Sequence, residues 1–367
     1  MRASSSSAEP DLPPAQQVRP LRWVVENLFS PWWNALLTLA ALWFLWHAVA
    51  ALYEWAVAEA AFGTTPQSCE GIEGACWSFV ADTIWLFLVG IYPADERWRP
   101  SLCFVILLVL ALVSGWRRAR SHPWRLAGVW LLCAFAIGVL LYGGGWVGLE
   151  QVPTSRWGGL LLTLILSING IAFAFPMGVL LALGRRSRTM PAVKALCVGY
   201  IELIRGVPLI SILFLASVLV PLFLPAGVEV DTLIRAQVGI ILFQAGYLAE
   251  VVRGGLQAVA KGQEEAAHSL GFSHGLTMLL IVLPQALRIV IPSLTNQFII
   301  ILKDTSLVAV VGLFDLLGIA EITVRNPKWL GNTFEAYAVV AFFYWILCFS
   351  ISRVSLHLER RLGRQND

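Results

Sequence analysis

Lys303 and Asp304 stand side by side at the end of an apolar run, a fixed cation and a fixed anion able to meet a polar group of either sign. Five more polar side chains interrupt apolar runs: Asn169, Gln244, Tyr247, Asn296 and Gln297. In hydrocarbon such residues are costly and are functional candidates by default. The same side chains also hold helices together by hydrogen bonds, and Lys303 with Asp304 can simply cap a helix end. Both readings stay open at this point. Glu250 and Arg253 fall nearer the end of their run, where structure or gating is the expectation. The remaining motif chemistry is sparse: there is no G-x-x-x-x-G-K-[ST] phosphate loop and no H-E-x-x-H. The histidines His47, His122, His268, His274 and His357 are scattered, which argues against a metal site.

The elements that must position these residues are membrane helices. Charged residues make up 13% of the chain and hydrophobic residues 58%, against about 25% charged in an ordinary soluble domain. Apolar runs recur along the length without the period-2 alternation of a β-barrel. The expected class is an all-α integral membrane protein of eight spans: 31–53, 101–116, 126–148, 158–183, 206–224, 236–252, 286–302 and 336–351. Two further apolar stretches, 77–92 with Asp82 and 306–320 with Asp315, are short enough to lie at the interface or re-enter. The basic residues are dispersed and the net charge is +3, so no nucleic-acid partner is expected.

Charge bias sets the expected orientation. Arg117, Arg118, Arg120 and Arg125 fill one connection, Arg185, Arg186, Arg188 and Lys194 another, and Arg353, Arg360, Arg361 and Arg364 follow the last span. The alternate connections carry Glu54, Glu59, Glu70 and Glu73, then Glu150 with Arg156, then Glu229 and Asp231. Both termini are thereby expected on the cytoplasmic side. Cys69 and Cys76 flank a short outer connection, where an oxidising compartment permits a disulfide; Cys103, Cys133, Cys197 and Cys348 read as packing residues.

The expected organisation is a disordered tail over 1–22, a three-helix membrane extension with an outer loop over 23–154, a five-helix unit over 155–357 and a cytoplasmic tail over 358–367. The break is "GLEQVPTSRWGG", rich in Gly, Pro, Ser and Thr. Between the sixth and seventh spans stands a polar island, "KGQEEAAHSLGFSHGLTMLLIVLPQA". Its residues 264–269 are good helix formers closed by Gly271, and a second helix is expected from about 275 to Pro284. Two short helices at an angle make a compact knob: Ala266 and Ala267 permit close approach by a partner, and Glu265 offers it a charge.

From Ala249 to Leu307 the chain resembles the permease subunits of bacterial ABC importers, in the polar and general L-amino-acid branch. The family pattern is E-A-A, three residues, G, nine residues, I-x-L-P. Here it reads Glu265, Ala266, Ala267, Gly271, Ile281, Leu283 and Pro284, with "RGVPLI", "AEVVRGG", "LPQA" and "KDTSL" beside it. The resemblance covers 155–362, and the N-terminal extension looks like that of the long M-type permeases. It implies a five-helix permease core whose loop over 254–284 couples to a separate ABC ATPase dimer, which binds ATP and Mg; this chain would hold no cofactor itself. It further implies a second, Q-type permease subunit, a periplasmic amino-acid-binding protein, an L-amino-acid substrate and residence in the bacterial inner membrane. Lys303 and Asp304 would then face an amino acid's carboxylate and ammonium. An ion-gradient-driven secondary transporter is the alternative, but no inverted pair of broken helices is visible in the two halves.

Overall fold

The computed structural model describes residues 23–63, 69, 71–115, 123–145, 148–187, 189–225, 227–329 and 331–363. The tail expected to be disordered and the side chains of Glu70, Arg117, Arg118, Arg120, His122, Arg188 and Arg364 lie outside them. Two compact units emerge: residues 1–62 with 69–76, and residues 63–68 with 77–367.

The first unit is built on α1 (Trp32–Tyr53), continued by a π turn over Glu54–Ala58. None of its helical residues is buried. A helix apolar on every side has no water-facing stripe, as expected of one made for lipid. The chain then doubles back: the Ala61 N–H donates to Ala75 O at 2.8 Å, the Ala75 N–H donates to Trp55 O at 2.7 Å, and a disulfide joins Cys69 to Cys76.

The second unit holds α2 (Trp77–Val89), α3 (Trp98–Gly115), α4 (Pro123–Tyr142), α5 (Gly159–Arg185), α6 (Pro191–Gly206) and α7 (Leu209–Leu222). There follow α8 (Thr232–Ala258), α9 (Lys261–Ser269), α10 (His274–Ile289), α11 (Ile291–Asp304), α12 (Leu316–Thr323) and α13 (Thr333–Gly363). Among the described residues, seven helices are long and apolar enough to cross a membrane, and α6 with α7 forms a pair bent by 104° that makes an eighth. The span expected over 206–224 is thus only half of a broken element. Its first half reads as a basic connection because Lys194, Glu202 and Arg205 punctuate an amphipathic helix. The Val207-Pro208 step turns the chain, since the residue before proline is held extended.

The two short apolar stretches resolve into supports. At 13 residues and about 1.5 Å of rise each, α2 reaches about 20 Å, short of the roughly 30 Å hydrocarbon core. Its Asp82 accepts from Lys328 Nζ at 2.7 Å and from Trp329 Nε1 at 2.9 Å. The stretch 306–320 becomes a 3₁₀ turn (Thr305–Val311) and α12. Asp315 is fully buried as the N-cap of α12, accepting from the Gly318 N–H at 3.0 Å and from Tyr344 Oη at 3.0 Å. Those donors replace the water that the buried carboxyl group gives up.

The spine of the unit is α5 against α8. Gly170, Ala174, Gly178 and Ala182 recur every fourth residue on α5, and all four are buried. In a membrane, where lipid is as apolar as leucine, such small residues let two helices approach closely enough for dispersion to act. At Gly178 a Cβ would lie 2.8 Å from Leu248 Cβ and 3.0 Å from Ala249 N.

Candidate functional site

The polar island folds as two helices. Helix α9 runs over Lys261–Ser269, starting three residues earlier than its helix formers suggest, and ends in a Schellman turn. The Phe272 N–H donates to Ala267 O at 3.1 Å and the Gly271 N–H donates to His268 O at 3.0 Å. Gly271 occupies the left-handed region at φ 81°. A residue with a Cβ would cost about 1–2 kcal/mol there, although nothing stands within 4 Å of where that Cβ would go. The spacing from Ala267 to Gly271 is therefore the geometry of a helix stop, the alanine carbonyl accepting the bond that the glycine's conformation makes reachable.

After the turn, Ser273 caps α10, its Oγ accepting from the Leu276 N–H at 3.5 Å. The second helix does not stop at Pro284 as its sequence suggests but continues to Ile289. A π turn over Met278–Val282 precedes the proline, whose missing N–H would interrupt a regular α ladder. Met278, Val282 and Ala286 are buried against Ala182, Ile201, Val252 and Leu256. At Gly255 on α8 a Cβ would lie 2.6 Å from Ala286 O. One face of α10 is thus rooted in the bundle, with Ile281 and Leu283 half-buried and Pro284 exposed.

The other face is open. Glu265, Ala266, Leu270, Gly271, Leu276, Leu279 and Leu280 are exposed, and of the E-A-A triplet only Ala267 is buried. One tether ties the knob to the bundle, Glu264 pairing with Arg186 at the end of α5, while Gln285 Nε2 donates to Gln263 Oε1 at 3.2 Å and joins the knob's own two helices. Arg186 also donates to Leu256 O at 3.2 Å, tying α5, α8 and α9 at one corner. The motif residues themselves do not announce that tether, since Arg186 lies 78 positions before Glu264.

Beside this corner lies an ion cluster. Glu250 on α8 pairs with Arg253, with Arg185 at 3.4 Å and with Arg205 at 3.8 Å; Arg185 also reaches Glu202 at 3.1 Å. Three helices, α5, α6 and α8, are clasped by one carboxylate. Glu250 and Arg253 fall at the same end of the bundle as the knob.

Deeper in the bundle the polar candidates divide. Gln297 Nε2 on α11 donates to Gln244 Oε1 on α8 at 2.7 Å, and Gln244 Nε2 donates to Asp304 Oδ2 at 2.8 Å. Gln244 thus turns its NH2 towards Asp304 and offers its carbonyl to Gln297. Gln244 is fully buried and Gln297 8% exposed, residues 53 and 60 positions apart brought to one chain of hydrogen bonds. Tyr247 lies one turn along α8, its ring 4.9 Å from that of Phe243 and under the Arg205 guanidinium at 5.9 Å. Asn296 and Lys303 are exposed. Asn169 belongs elsewhere, lining an apolar cavity with Trp130, Ile137, Trp157 and Gln237 between α3, α4, α5 and α8. Among the described residues no group of three or more His, Cys, Asp or Glu could hold a metal ion.

Relatives resemble this chain in sequence over nearly its whole length. The Escherichia coli K12 inner membrane amino-acid ABC transporter permease protein YhdY is 48% identical over 346 residues, 94% of each chain. A glutamate/glutamine/aspartate/asparagine transport system permease protein, BztC of Rhodobacter capsulatus, is 36% identical over 96% of each chain. A solved amino acid ABC transporter aligns with 32% identity and a TM-score of 0.49, covering 55% of this chain and 92% of its own. The family model described as binding-protein-dependent transport system inner membrane component matches residues 174–364, from the middle of α5 past the end of α13. The chain belongs to that family, the multi-pass membrane components of ABC importers.

Proposed function

We propose that this chain is the permease subunit of an ATP-driven amino-acid importer, forming part of the translocation path and taking its drive from a separate ATPase through the 261–286 loop. The observation that carries the reading is the rooted, open-faced knob. Its glycine-closed first helix exposes Glu265 and Ala266 while its second helix is buried in the bundle. A push on α9 reaches α5 through Glu264 and Arg186 and reaches α8 through Ala286 packed on Gly255. Closure of an ATPase dimer can bias inward- and outward-facing states only if the knob is held differently in each, because coupling is a difference in interaction free energy between two states. Substrate reading falls to Gln244, Gln297 and Asp304 with Tyr247 beside them, with Lys303, Asn296 and Asn169 as further path residues.

The partners that complete the unit are an ATPase dimer carrying ATP and Mg, a second permease chain of the Q type and a periplasmic amino-acid-binding protein. The permeases named among the relatives support amino acids as cargo. Both termini lie in the cytoplasm, as the charge asymmetry supports, and residues 23–154 form an extension to the core over 155–357. Deleting the ATPase gene should reduce radiolabelled amino-acid uptake to background. Uptake that survives ATP depletion while an ion gradient is maintained would contradict the reading and favour a secondary transporter.

A further inference from the structure

Between the ends of α5 and α8 and the start of α9 lies a cavity of about 420 Å³ whose wall carries Arg185, Arg186, Arg253 and Lys261, with Gln257 and Glu264. With Arg205 alongside, five cationic side chains stand against three carboxylates, Glu202, Glu250 and Glu264, which pair with the four arginines. Glu250 alone serves three of the arginines. Among the described residues Lys261 has no carboxylate within ion-pair reach. The corner therefore carries two uncompensated positive charges around an open space, and each carboxylate already in the cluster is engaged.

The chemistry that fits is a phosphate group. Guanidinium forks match phosphate oxygens two at a time, and an ammonium adds a point charge. The level of the site favours one source. Helix α6, which contributes Glu202 and Arg205, exposes Leu196 and Leu203 at 75% and 67%, and its axis turns by 104° into α7. An amphipathic helix of this kind, apolar outside and charged along another face, lies at the headgroup boundary. Basic pockets between transmembrane helices at that level take anionic headgroups. We propose that this cavity binds the phosphate of an acidic phospholipid, the headgroup lying among Arg185, Arg186, Arg253 and Lys261 beside the first turn of α9. The bound lipid then holds Arg186 and Lys261 at the corner to which the knob is tethered.

The experiment uses the full chain purified in detergent and native mass spectrometry with phosphatidylglycerol, phosphatidylcholine or inorganic phosphate as the added probe. Saturable retention of one phosphatidylglycerol, with phosphatidylcholine at least fivefold weaker, supports the site. Lys261→Glu supplies the missing carboxylate at an exposed position and should weaken phosphatidylglycerol retention at least fivefold, while Lys261→Arg retains it. Gel-filtration profiles matching the wild type exclude a folding defect as the cause. Competition by millimolar inorganic phosphate as strong as that by the lipid would overturn the lipid source and leave the soluble anion as the ligand. Retention of both lipids alike, or indifference to Lys261→Glu, would overturn the site altogether. None of these readouts requires transport, so the outcome is independent of the proposed coupling role.

Discussion

The knob over 261–286 and the hydrogen-bonded interior of Gln244, Gln297 and Asp304 are built in opposite ways. The knob's shape is local: its helix stop is set by bonds from Gly271 and Phe272 to residues three and five positions earlier. The interior is assembled across α8 and α11 from residues 53 and 60 positions apart. A local device can be moved as a unit and fails when its turn fails. A non-local one fails when either helix shifts, and this makes it sensitive to the difference between two packings of the bundle.

The largest expected effects lie in the knob. Gly271→Arg and Glu265→Lys should each reduce uptake to background while the protein still inserts and purifies in normal amounts. Because the strain at Gly271 is conformational and no neighbour blocks a Cβ, Gly271→Asn should retain much of the uptake that Gly271→Ala loses, asparagine tolerating the left-handed region better. Equal loss in both would show that something other than the turn is at stake.

Next in size is the interior. Gln244→Leu strips the donor from Asp304 and the acceptor from Gln297 together, a cost of about 1–3 kcal/mol for each buried group left unpaired. Thermal unfolding in detergent should fall accordingly and uptake should be lost. Gln297→Leu leaves the contact between Gln244 and Asp304 intact, so its effect should be clearly smaller. Parity between the two would break the account of a chain centred on Gln244.

The difference between the regions also explains what was legible beforehand. The E-A-A pattern through Pro284 was named by resemblance to a family, whereas the helix stop at Gly271 could be read from the residues themselves, because a Schellman turn is a property of adjacent residues. The polar candidates could be named but not grouped, since only the approach of α8 to α11 separates Gln244, Gln297 and Asp304 from Asn169, which lines another cavity. Helix α6 escaped notice because its charged residues masked an amphipathic helix as a connection. The π turn at Met278–Val282 escaped because Pro284 reads as a helix boundary when the register shift ahead of it is unknown. The packing stripe of Gly170, Ala174, Gly178 and Ala182 went unread, although its four-residue period is the signal that would have shown it.

That stripe yields a third test. Gly178→Ala sets a methyl against Leu248 and Ala249 on α8, and overpacking of this kind costs about 1–3 kcal/mol. The melting temperature in detergent should drop with no change at the knob, readable as undiminished accessibility of a cysteine placed at Ala266. The smallest effect is expected at Cys69 and Cys76. They belong to a separate compact unit containing none of the residues proposed for coupling or substrate. Cys69→Ser should leave uptake near the wild-type level, and thiol titration of the denatured wild type should rise from four groups to six on reduction, matching the four free cysteines.

The most direct measurement of the central claim is site-specific cross-linking in membranes that hold the assembled transporter. A cysteine at exposed Ala266 should form an ATP-sensitive cross-link to the ATPase subunit, whereas one at exposed Glu229, between α7 and α8, should form none. Cross-linking from Glu229 and not from Ala266, or a complete lack of contact between Ala266 and the ATPase in a complex active in uptake, would contradict the assignment of the knob to energy coupling.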